Sequence, residues 1–403
     1  MPTTPAPFRD AADQSGRTGA VSALPRDDFD RRVWSVLGAP VDVADIQTAA
    51  SAIEAAVRDR RRLSFVTPNL NWLMRGLRDP EARRQMIDAD LSLADGAPVV
   101  AIARALGAPI PGRAAGSDVF EALRARPAFG GRRLKVFFFG GRDGAAEAAA
   151  SALARDGGGL APAGFLNPGH GDVASMSDDA TMRKINEAGA DFVVVALGAA
   201  KGQAWIDRNQ ARLDAPVVAH LGAVVDFAGG SIRRAPALLR RLGLEWAWRI
   251  AEEPALWRRY ASDAAAFFTV ALPRLAPQLL RGGSAGPASP AGAALENRAD
   301  ALVIRLSGDL VDADLAPVRA AFRAAAASGR RIRLNFAHVG RFDGAFLGLL
   351  LMLEKHAGRL GLALETEALK PAHAAALKRN AMAYPAARAA GADAAGIADM
   401  AAV

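Results

Sequence analysis

The sequence predicts an α/β protein of two folded units, the first built on a mostly parallel sheet with helices on both faces. Its 403 residues exceed the usual length of one domain. Short apolar segments alternate with Ala/Arg-rich segments of helical periodicity over the first 230 residues. A Gly/Pro/Ser/Ala-rich stretch at 281–295 then precedes a second, smaller set of such segments.

The first unit is predicted to span residues 31–275, after a polar, aperiodic tail at 1–30 that we expect to be mobile. Buried strands are predicted at 62–66, 91–93, 134–139, 191–197 and 216–219. Helices are predicted at 80–88, 98–107, 143–155 and 178–188. Because short apolar strands that alternate with helices form parallel sheets covered on both faces, we expect a Rossmann-like arrangement.

The pattern changes after residue 230 to an Arg-rich amphipathic segment, which predicts a basic helical appendage at about 231–275. Tryptophans are interleaved with its arginines, which are Arg233, Arg234, Arg240, Arg241, Arg249, Arg258 and Arg259. A linker is predicted at 276–296 and a small α/β domain at 297–403. Within that domain we expect strands at 302–310, 331–336 and 360–365, and helices at 313–327 and 346–358.

Composition narrows the possible partners and location. The net charge of +8 favours nucleotide phosphates, anionic lipid or nucleic acid, and charge alone does not choose between them. The absence of cysteine excludes disulfides and cysteine-built metal sites. The N-terminal segment lacks the apolar core of a signal peptide, and no apolar run reaches membrane-spanning length, so we expect a cytoplasmic or peripheral membrane protein.

Polar side chains follow two of the predicted strands. Thr67 and Asn69 come after the first strand, and Asp95 comes after the second. Open α/β folds bind ligands at this carboxyl edge of the sheet, where a carboxylate can act as a general base. The alternative is that each residue caps the following helix, which composition alone favours for Thr67 and Asn69 and which is the commoner fate of such an Asp.

Three further segments carry candidate anion-binding groups. Arg113 precedes a Gly-Ser-Asp sequence at 116–118 that either holds an anion with the arginine or caps a helix. The stretch FFFGGRDGAAE at 137–147 is a candidate phosphate-binding turn, although it lacks the full GxGxxG pattern. Lys201 and Gln203 follow an apolar strand and could reach a diphosphate or a sugar hydroxyl, whereas we expect Trp205 to pack in the core.

A metal site is not expected. Asp88 and Asp90 precede their strand, and Asp178 with Asp179 lies at a predicted helix start. Both pairs are better interpreted as solvated helix caps than as a metal-binding DxD motif. We therefore predict no metal and no cofactor.

Together these segments resemble the WecG/TagA/CpsF family of bacterial glycosyltransferases, known as glycosyltransferase family 26. The resemblance covers roughly 35–262 and is carried, in the family's order, by TPNLNWLM, ADLSLADGAPVV, RAAGSDVF, VFFFGG, DFVVVALGAAKGQAWI, LGAVVDFAGGSIRRAP and GLEWAWRIAEEP. It implies an inverting, metal-independent transfer from a UDP-sugar to a polyprenyl-diphosphate-linked acceptor, in exopolysaccharide or other surface-polymer synthesis. It also implies a position on the inner face of the plasma membrane and no nucleic-acid partner.

The resemblance assigns roles to individual residues. It makes Asp95 the general base, places Thr67, Asn69 and Arg113 among the substrate contacts, and makes the basic appendage a lid that closes over the donor diphosphate and contacts the membrane. Arg249 and Arg259 match arginines of that appendage, and arginine pairs bidentately with phosphate.

Two positions depart from the family pattern. Where the family reads GAPKQE, this chain has GAAKGQ at 198–203, so that Gly202 replaces a glutamine and Gln203 replaces an acid. Leu256 replaces an arginine of the appendage, and Arg258 could compensate for it.

The second unit resembles a STAS domain, through LVIRLSGDL and LNFAHVGRFDGAFLGLLLMLEKHAGRLG. The turn at 343–348, DGAFLG, lacks the hydroxyl residue that such domains phosphorylate, so we expect a docking or self-association module or a passive partner. Two alternatives to the transferase remain open. One is a nucleotide-binding regulator with a degenerate transferase domain, and the other is a nucleotide-binding oxidoreductase, suggested only by the glycines of the 137–147 turn.

Overall fold

The structure is a computed structural model that describes residues 27–230, 235–236, 239, 245–254, 256–279 and 288–387. Most of the predicted tail, together with Arg233, Arg234, Arg240 and Arg241, lies outside these residues.

The first domain contains the predicted parallel sheet. Its strands are β3 (Leu63–Val66), β4 (Leu91–Ser92), β5 (Leu134–Gly140), β6 (Leu160–Leu166), β7 (Phe192–Ala196) and β8 (Val217–His220). They are ordered β4-β3-β8-β7-β5-β6, and every neighbouring pair is parallel. The five predicted strands are confirmed. The edge strand β6 was not predicted because Pro162 and Gly164 interrupt its apolar pattern.

Helices cover both faces of this sheet, as predicted. They are α1 (Ile46–Arg58), α2 (Leu70–Gly76), α3 (Pro80–Asp88), α4 (Ala97–Ala105), α5 (Gly116–Ala125), α6 (Ala145–Arg155), α7 (Asp179–Glu187), α8 (Ala199–Asn209) and α9 (Gly222–Ala228). Alternate residues of β5 divide between the faces, with Val136 and Phe138 packing against α1, α5, α6 and α9. Phe137 and Phe139 pack on the other face with α7 and α8.

The chain enters this domain through elements that the sequence did not reveal. A 3-10 turn at Asp28–Asp30 leads into a two-stranded antiparallel hairpin, β1 (Val33–Val36) and β2 (Ala39–Asp42). The prediction of a tail as far as residue 30 is therefore wrong at its end, because Asp28 and Phe29 are buried. Asp28 is held there by Arg31, at 2.9 Å, and by a lysine of the second domain.

The basic appendage is helical in its described part. It consists of α10 (Glu245–Glu252), α11 (Leu256–Ala266), a π-helical turn (Phe267–Ala271) and α12 (Leu272–Leu279). Because α12 continues to Leu279 and a strand begins at Gly292, the linker is shorter at both ends than the predicted 276–296. None of the helices in the described ranges is long and apolar enough to cross a membrane.

The second domain is a four-stranded sheet with helices. Its elements are β9 (Gly292–Asn297), β10 (Leu302–Leu310), α13 (Ala316–Ala327), β11 (Ile332–Phe342), α14 (Gly344–Arg359), β12 (Leu364–Glu367) and α15 (Pro371–Arg379). The strand order is β12-β11-β10-β9, with β9 antiparallel to β10 and the other pairs parallel. The strand predicted at 360–365 lies a few residues later, since residues 360–361 turn after α14.

The two domains share one buried apolar cluster, which joins the hairpin and α2–α4 to the core of the second domain. Helix α14 packs on β1, where a Cβ atom at Gly348 would lie 2.1 Å from the carbonyl oxygen of Val33. Buried charges cross the same contact, with Lys355 Nζ 2.9 Å from Asp28 Oδ2 and 3.0 Å from the carbonyl oxygen of Ala89. The second domain is therefore fixed against the hairpin side of the first.

Candidate active site

Three of the sequence-predicted segments lie side by side at the carboxyl edge of the first sheet. The backbone N–H of Asp95 donates to the carbonyl oxygen of Pro68 at 3.1 Å. The N–H of Ala114 donates to the carbonyl oxygen of Ala94 at 2.9 Å. The first bond extends the pairing of β3 with β4 beyond the strands, and the second joins the loop of Arg113 to that of Asp95, so Thr67, Asp95 and Arg113 lie on neighbouring loops.

Of the candidate site residues that were also predicted as helix caps, some are N-caps in the structure and others are not. Asn69 is the N-cap of α2, where its side-chain oxygen accepts from the N–H of Trp72 at 3.1 Å. Asp95 is not a cap, because the N-cap of α4 is Gly96, with φ +102° and no side-chain hydrogen bond. Ser117 and Asp118 likewise do not fill the N-cap position of α5, which is Ala115.

Arg113 lies between two acids. Its guanidinium donates to Asp118 on α5 and to Glu245 at the start of α10. The second contact ties the appendage to the strand-end loops across 132 residues of sequence. Arg113, predicted to hold an anion, therefore holds carboxylates of its own chain in this structure.

Asp95 has the electrostatic environment of a group that titrates near neutrality. Burial raises the pKa of its carboxyl group to about 7, and the negative charges of Glu245 and Asp118 raise it as well. The positive charges of Arg113 and Arg249 act in the opposite direction. Helix α10 therefore contributes two opposing charges to the surroundings of Asp95, Glu245 and Arg249, whereas burial is the largest influence on its pKa.

The glycine-rich turn after β5 faces the appendage as well. Gly140, Gly141 and Gly144 have φ of +92°, +97° and +75°, and the N-terminus of α6 has no side-chain cap. Arg142 in this turn is 3.3 Å from Glu253 at the end of α10 and 3.6 Å from Asp226 on α9. A free helix N-terminus beside an arginine is suited to binding phosphate.

The two predicted donor contacts on α8 point to different surroundings. Lys201 is exposed and donates to the carbonyl oxygen of Gly171 at 2.7 Å. Gln203 is 2% exposed, and its amide donates at 3.0 Å to Asp207, an exposed residue one turn further along the helix. In this conformation the amide of Gln203 therefore pairs within its own helix, and a contact of Gln203 with the donor remains a prediction. Trp205 is fully buried, as predicted.

The two appendage arginines are placed differently. Arg249 acts on Asp95, whereas Arg259 on α11 is exposed and its guanidinium lies 5.1 Å from the ring centre of Tyr260. The structure therefore brings Arg249 to the candidate active site and leaves Arg259 on the surface of the appendage.

The predicted acidic caps have mixed outcomes. Asp178 caps α7 by accepting from the N–H of Thr181 at 2.7 Å, as predicted. Asp90 is not a solvated cap, because it accepts from the N–H of Ser64 at 2.9 Å and contacts Lys355 of the second domain. No group of three His, Asp or Glu side chains suited to a metal ion occurs in the part of the chain that the structure describes.

Several residues at this edge were not singled out from the sequence. Glu245, Glu253 and Asp226 pair with arginines that are distant in sequence, and no local signal predicts such pairs. His220 ends β8 and could have been found by the same strand-end criterion that selected Asp95.

Two curated relatives resemble about half of the chain. An N-acetylglucosaminyldiphosphoundecaprenol N-acetyl-β-D-mannosaminyltransferase of Bacillus spizizenii is 28% identical over 220 residues, which are 54% of this chain and 83% of the relative. An enzyme with the same name from Bacillus subtilis is 25% identical over 202 residues, covering 50% of this chain and 75% of the relative. The solved structure of the anti-sigma factor antagonist SpoIIAA in its unphosphorylated form aligns with 28% of the chain and all of its own length, at 19% identity and a TM-score of 0.22.

Family comparisons assign both domains. Residues 293–383 match the family described as "Mlab, STAS domain". Residues 34–279, more than half of the chain, match the glycosyl transferase WecG/TagA/CpsF family. The chain therefore belongs to the WecG/TagA/CpsF family of glycosyltransferases and carries a STAS domain behind its transferase domain.

Proposed function

We propose that this protein transfers a sugar, with inversion, from a UDP-sugar to a hydroxyl group of a polyprenyl-diphosphate-linked acceptor, and that Asp95 is the general base. The proposal rests on the position of Asp95 and on the pKa of its carboxyl group. Asp95 follows β4 at the carboxyl edge of the sheet, does not cap a helix, and has a pKa that burial raises to about 7. A base with this pKa exists in both protonation states near neutral pH, as general-base catalysis requires.

The proposed reaction is a single displacement. The carboxylate of Asp95 accepts the proton of the acceptor hydroxyl, the oxygen attacks the anomeric carbon, and the bond from that carbon to the UDP oxygen breaks. Negative charge then develops on the leaving diphosphate. Arg249 and Arg142 are the candidates to neutralise this charge. The positive charge of Arg249 lowers the pKa of Asp95, and Arg142 lies in the candidate phosphate-binding turn before α6. No metal ion or cofactor is part of this proposal.

The lipid-linked acceptor is proposed from the names of the relatives, which specify N-acetylglucosaminyldiphosphoundecaprenol. Thr67 and Asn69 are the proposed acceptor and sugar contacts, since their loop adjoins Asp95 through the Pro68 carbonyl. Following the resemblance to surface-polysaccharide enzymes, we place the product in an exopolysaccharide or other surface polymer. A hexose or N-acetylhexosamine is the proposed transferred group.

We further propose that the appendage contacts the inner face of the plasma membrane, where such an acceptor resides. Five of the eight large apolar side chains that are exposed among the described residues belong to it, namely Trp246, Trp257, Phe268, Leu272 and Leu279. Arg258 lies 5.9 Å from the ring centre of Trp257. Aromatic rings interleaved with arginine are typical of helices that lie on anionic membrane surfaces.

Turnover of the Asp95→Asn variant tests the catalytic assignment. We expect UDP release, measured with a panel of UDP-sugars and a short-chain polyprenyl-diphosphate-linked sugar, to fall about 10²–10⁴-fold. UDP-sugar binding and the melting temperature should be retained, because the amide has nearly the size of the carboxyl group and carries no charge. Asp179→Asn is the matched control, since its carboxyl side chain is 87% exposed at the start of α7.

Three results would contradict the proposal in different ways. Unchanged turnover in Asp95→Asn would remove Asp95 from the base role. Wild-type protein that binds UDP-sugars but turns over none of them would favour a nucleotide-binding regulator with a degenerate transferase domain. Binding of NAD in place of UDP would favour the oxidoreductase alternative.

A further inference from the structure

His220 is the last residue of β8, a strand in the middle of the first sheet. In the sheet, β8 pairs on one side with β3, which leads to Thr67, and on the other with β7, which leads to Gly198 and α8. The register sets His220 opposite Val195, so its side chain lies at the carboxyl edge where both neighbours end. This position is equivalent to those of the strand-end residues already assigned to the site.

Two glycines provide the space for the imidazole ring. A Cβ atom at Gly202 would lie 2.1 Å from His220 Cδ2, and one at Gly222 would lie 3.6 Å from His220 Nε2. Any side chain at position 202 would therefore have to displace the ring. Gly202 is also the position at which the resemblance expects a glutamine, so the ring fills the space that a side chain from 202 would enter.

The ring presents a polar atom without a partner. Nε2 of His220 is buried and makes no hydrogen bond to any residue that the structure describes. Buried polar atoms in proteins nearly always have a partner, so an exception at a ligand-binding edge points to a ligand group. Burial lowers the pKa of His220 to about 4, which keeps the ring uncharged at neutral pH. A neutral imidazole offers one N–H donor and one acceptor.

We propose that His220 is a binding residue for the donor, and that it hydrogen-bonds an uncharged hydroxyl or amide group of the sugar nucleotide in place of a side chain from position 202. An uncharged partner is favoured because a neutral ring adds no charge to hold phosphate, and Arg142 and Arg249 already supply positive charge at this edge. The inference rests on the proposed function, since it names a donor contact of the same site.

An exchange of the two side chains tests it. The proteins compared are the wild type, His220→Gly, Gly202→Gln and the double variant, with donor dissociation constants from calorimetry and donor KM and kcat from UDP release. We expect His220→Gly to weaken donor binding and raise donor KM by about 3–10-fold, with a smaller change in kcat, because one hydrogen bond to the donor is lost. Gly202→Gln should be impaired by collision with the ring. The double variant should bind the UDP-sugar to within about threefold of the wild type. Without the imidazole ring, the glutamine at position 202 has room and can hydrogen-bond the same group of the UDP-sugar.

Folding is controlled by melting temperatures and by a second pair of variants. His220→Gln keeps an uncharged side chain that can donate and accept hydrogen bonds, whereas His220→Leu keeps only the bulk. The proposal therefore requires that His220→Gln binds the UDP-sugar more tightly than His220→Leu. A purely structural role would give equal donor binding in the two folded variants and would overturn the inference. An additive loss in the double variant would overturn it as well.

The same measurements separate this inference from the proposed function. Wild-type protein that binds no UDP-sugar would overturn both. Wild-type protein that binds and turns over a UDP-sugar, while folded His220 variants bind it equally well, would overturn the role of His220 alone.

Discussion

At the scale of single residues, the pKa of Asp95 depends on charges that come from three parts of the chain. Arg113 and Asp118 belong to the neighbouring loop and helix, whereas Glu245 and Arg249 belong to the appendage. The acids disfavour the ionised form of Asp95 and the arginines favour it. Burial, the largest influence, raises the pKa of Asp95 together with the acids.

The pH dependence of kcat/KM should report this arrangement. In the wild type we expect activity to rise with pH through about 7, because the base must be ionised. Glu245→Gln removes a negative charge beside Asp95 while keeping a side chain that can accept from Arg113. Ionisation of Asp95 then becomes easier, so the acidic limb of the profile should move to lower pH.

Glu252→Gln is the control for this shift, because Glu252 is exposed on the same helix and is not among the groups that act on Asp95. A Glu245→Gln profile that coincides with that of the wild type, or that moves to higher pH, would show that Glu245 does not act on the base.

Thr67, Asn69 and Asp95 were singled out because they follow predicted strands, and Arg113 because it precedes a Gly-Ser helix start. Their roles in the site, which the resemblance implies, remain predictions. The pairing of Arg113 with Glu245 was not predictable, because it joins loops 132 residues apart and depends on the docking of α10. The burial of Gln203 was missed since helical periodicity alone did not show which face of α8 packs inward.

At the scale of elements, the appendage is hydrogen-bonded to the transferase domain and also exposes large apolar side chains. Asn71 on α2 donates to Asp263 on α11 at 2.6 Å, which fixes the appendage beside the strand-end loop. Trp257 and Phe268 are 55% and 63% exposed on the same element. Exposed rings of this kind, on an element anchored near the candidate active site, support the proposed contact with a membrane surface.

Binding to vesicles tests this element. Trp257→Ser and Phe268→Ser should each weaken sedimentation with phosphatidylglycerol-containing vesicles by about tenfold, because burial of one aromatic ring in the interface is lost. Added salt should weaken binding further by screening the arginines. Phe165→Ser is the control, since Phe165 is 40% exposed but lies on β6. Equal losses in all three variants, or no losses, would contradict a membrane role for the appendage.

Elements with strong local periodicity were predictable, and those without it were not. The strands with uninterrupted apolar runs and the helices α3, α4, α6 and α7 were found within a few residues, whereas α1, α8 and α9 were not predicted. The hairpin of β1 and β2 escaped notice because each strand has four residues, all buried, and Pro40 lies within the second. The hairpin packs against α14, which lies some 300 residues away, and no local pattern contains that contact.

At the scale of the whole molecule, the STAS domain uses its turn at 343–348 to hold its own chain. Asp343 caps α14 by accepting from the N–H groups of Ala345 and Phe346. Ala345 and Phe346 are buried, and the turn has no hydroxyl group, which agrees with the expectation that it is not phosphorylated. A protein partner or self-association through the STAS domain remains a proposal.

Because one buried cluster joins the two domains, we expect them to unfold together. Two glycines of α14 provide a matched test. A Cβ at Gly348 would lie 2.1 Å from the carbonyl oxygen of Val33, whereas one at Gly358 would meet nothing within 4 Å. Gly348→Ala should lower the free energy of unfolding by about 1–3 kcal/mol through this collision. Gly358→Ala should leave it unchanged or raise it by up to about 1 kcal/mol, since alanine favours the helix.

Urea unfolding, followed by tryptophan fluorescence and by circular dichroism, measures both effects. The wild type should show one transition by both probes, since the tryptophans lie in the transferase domain and the dichroism reports both domains. Gly348→Ala should shift that transition to lower urea or divide it in two. Two separate transitions in the wild type, or equal midpoints for Gly348→Ala and Gly358→Ala, would show that the STAS domain does not support the transferase domain through α14.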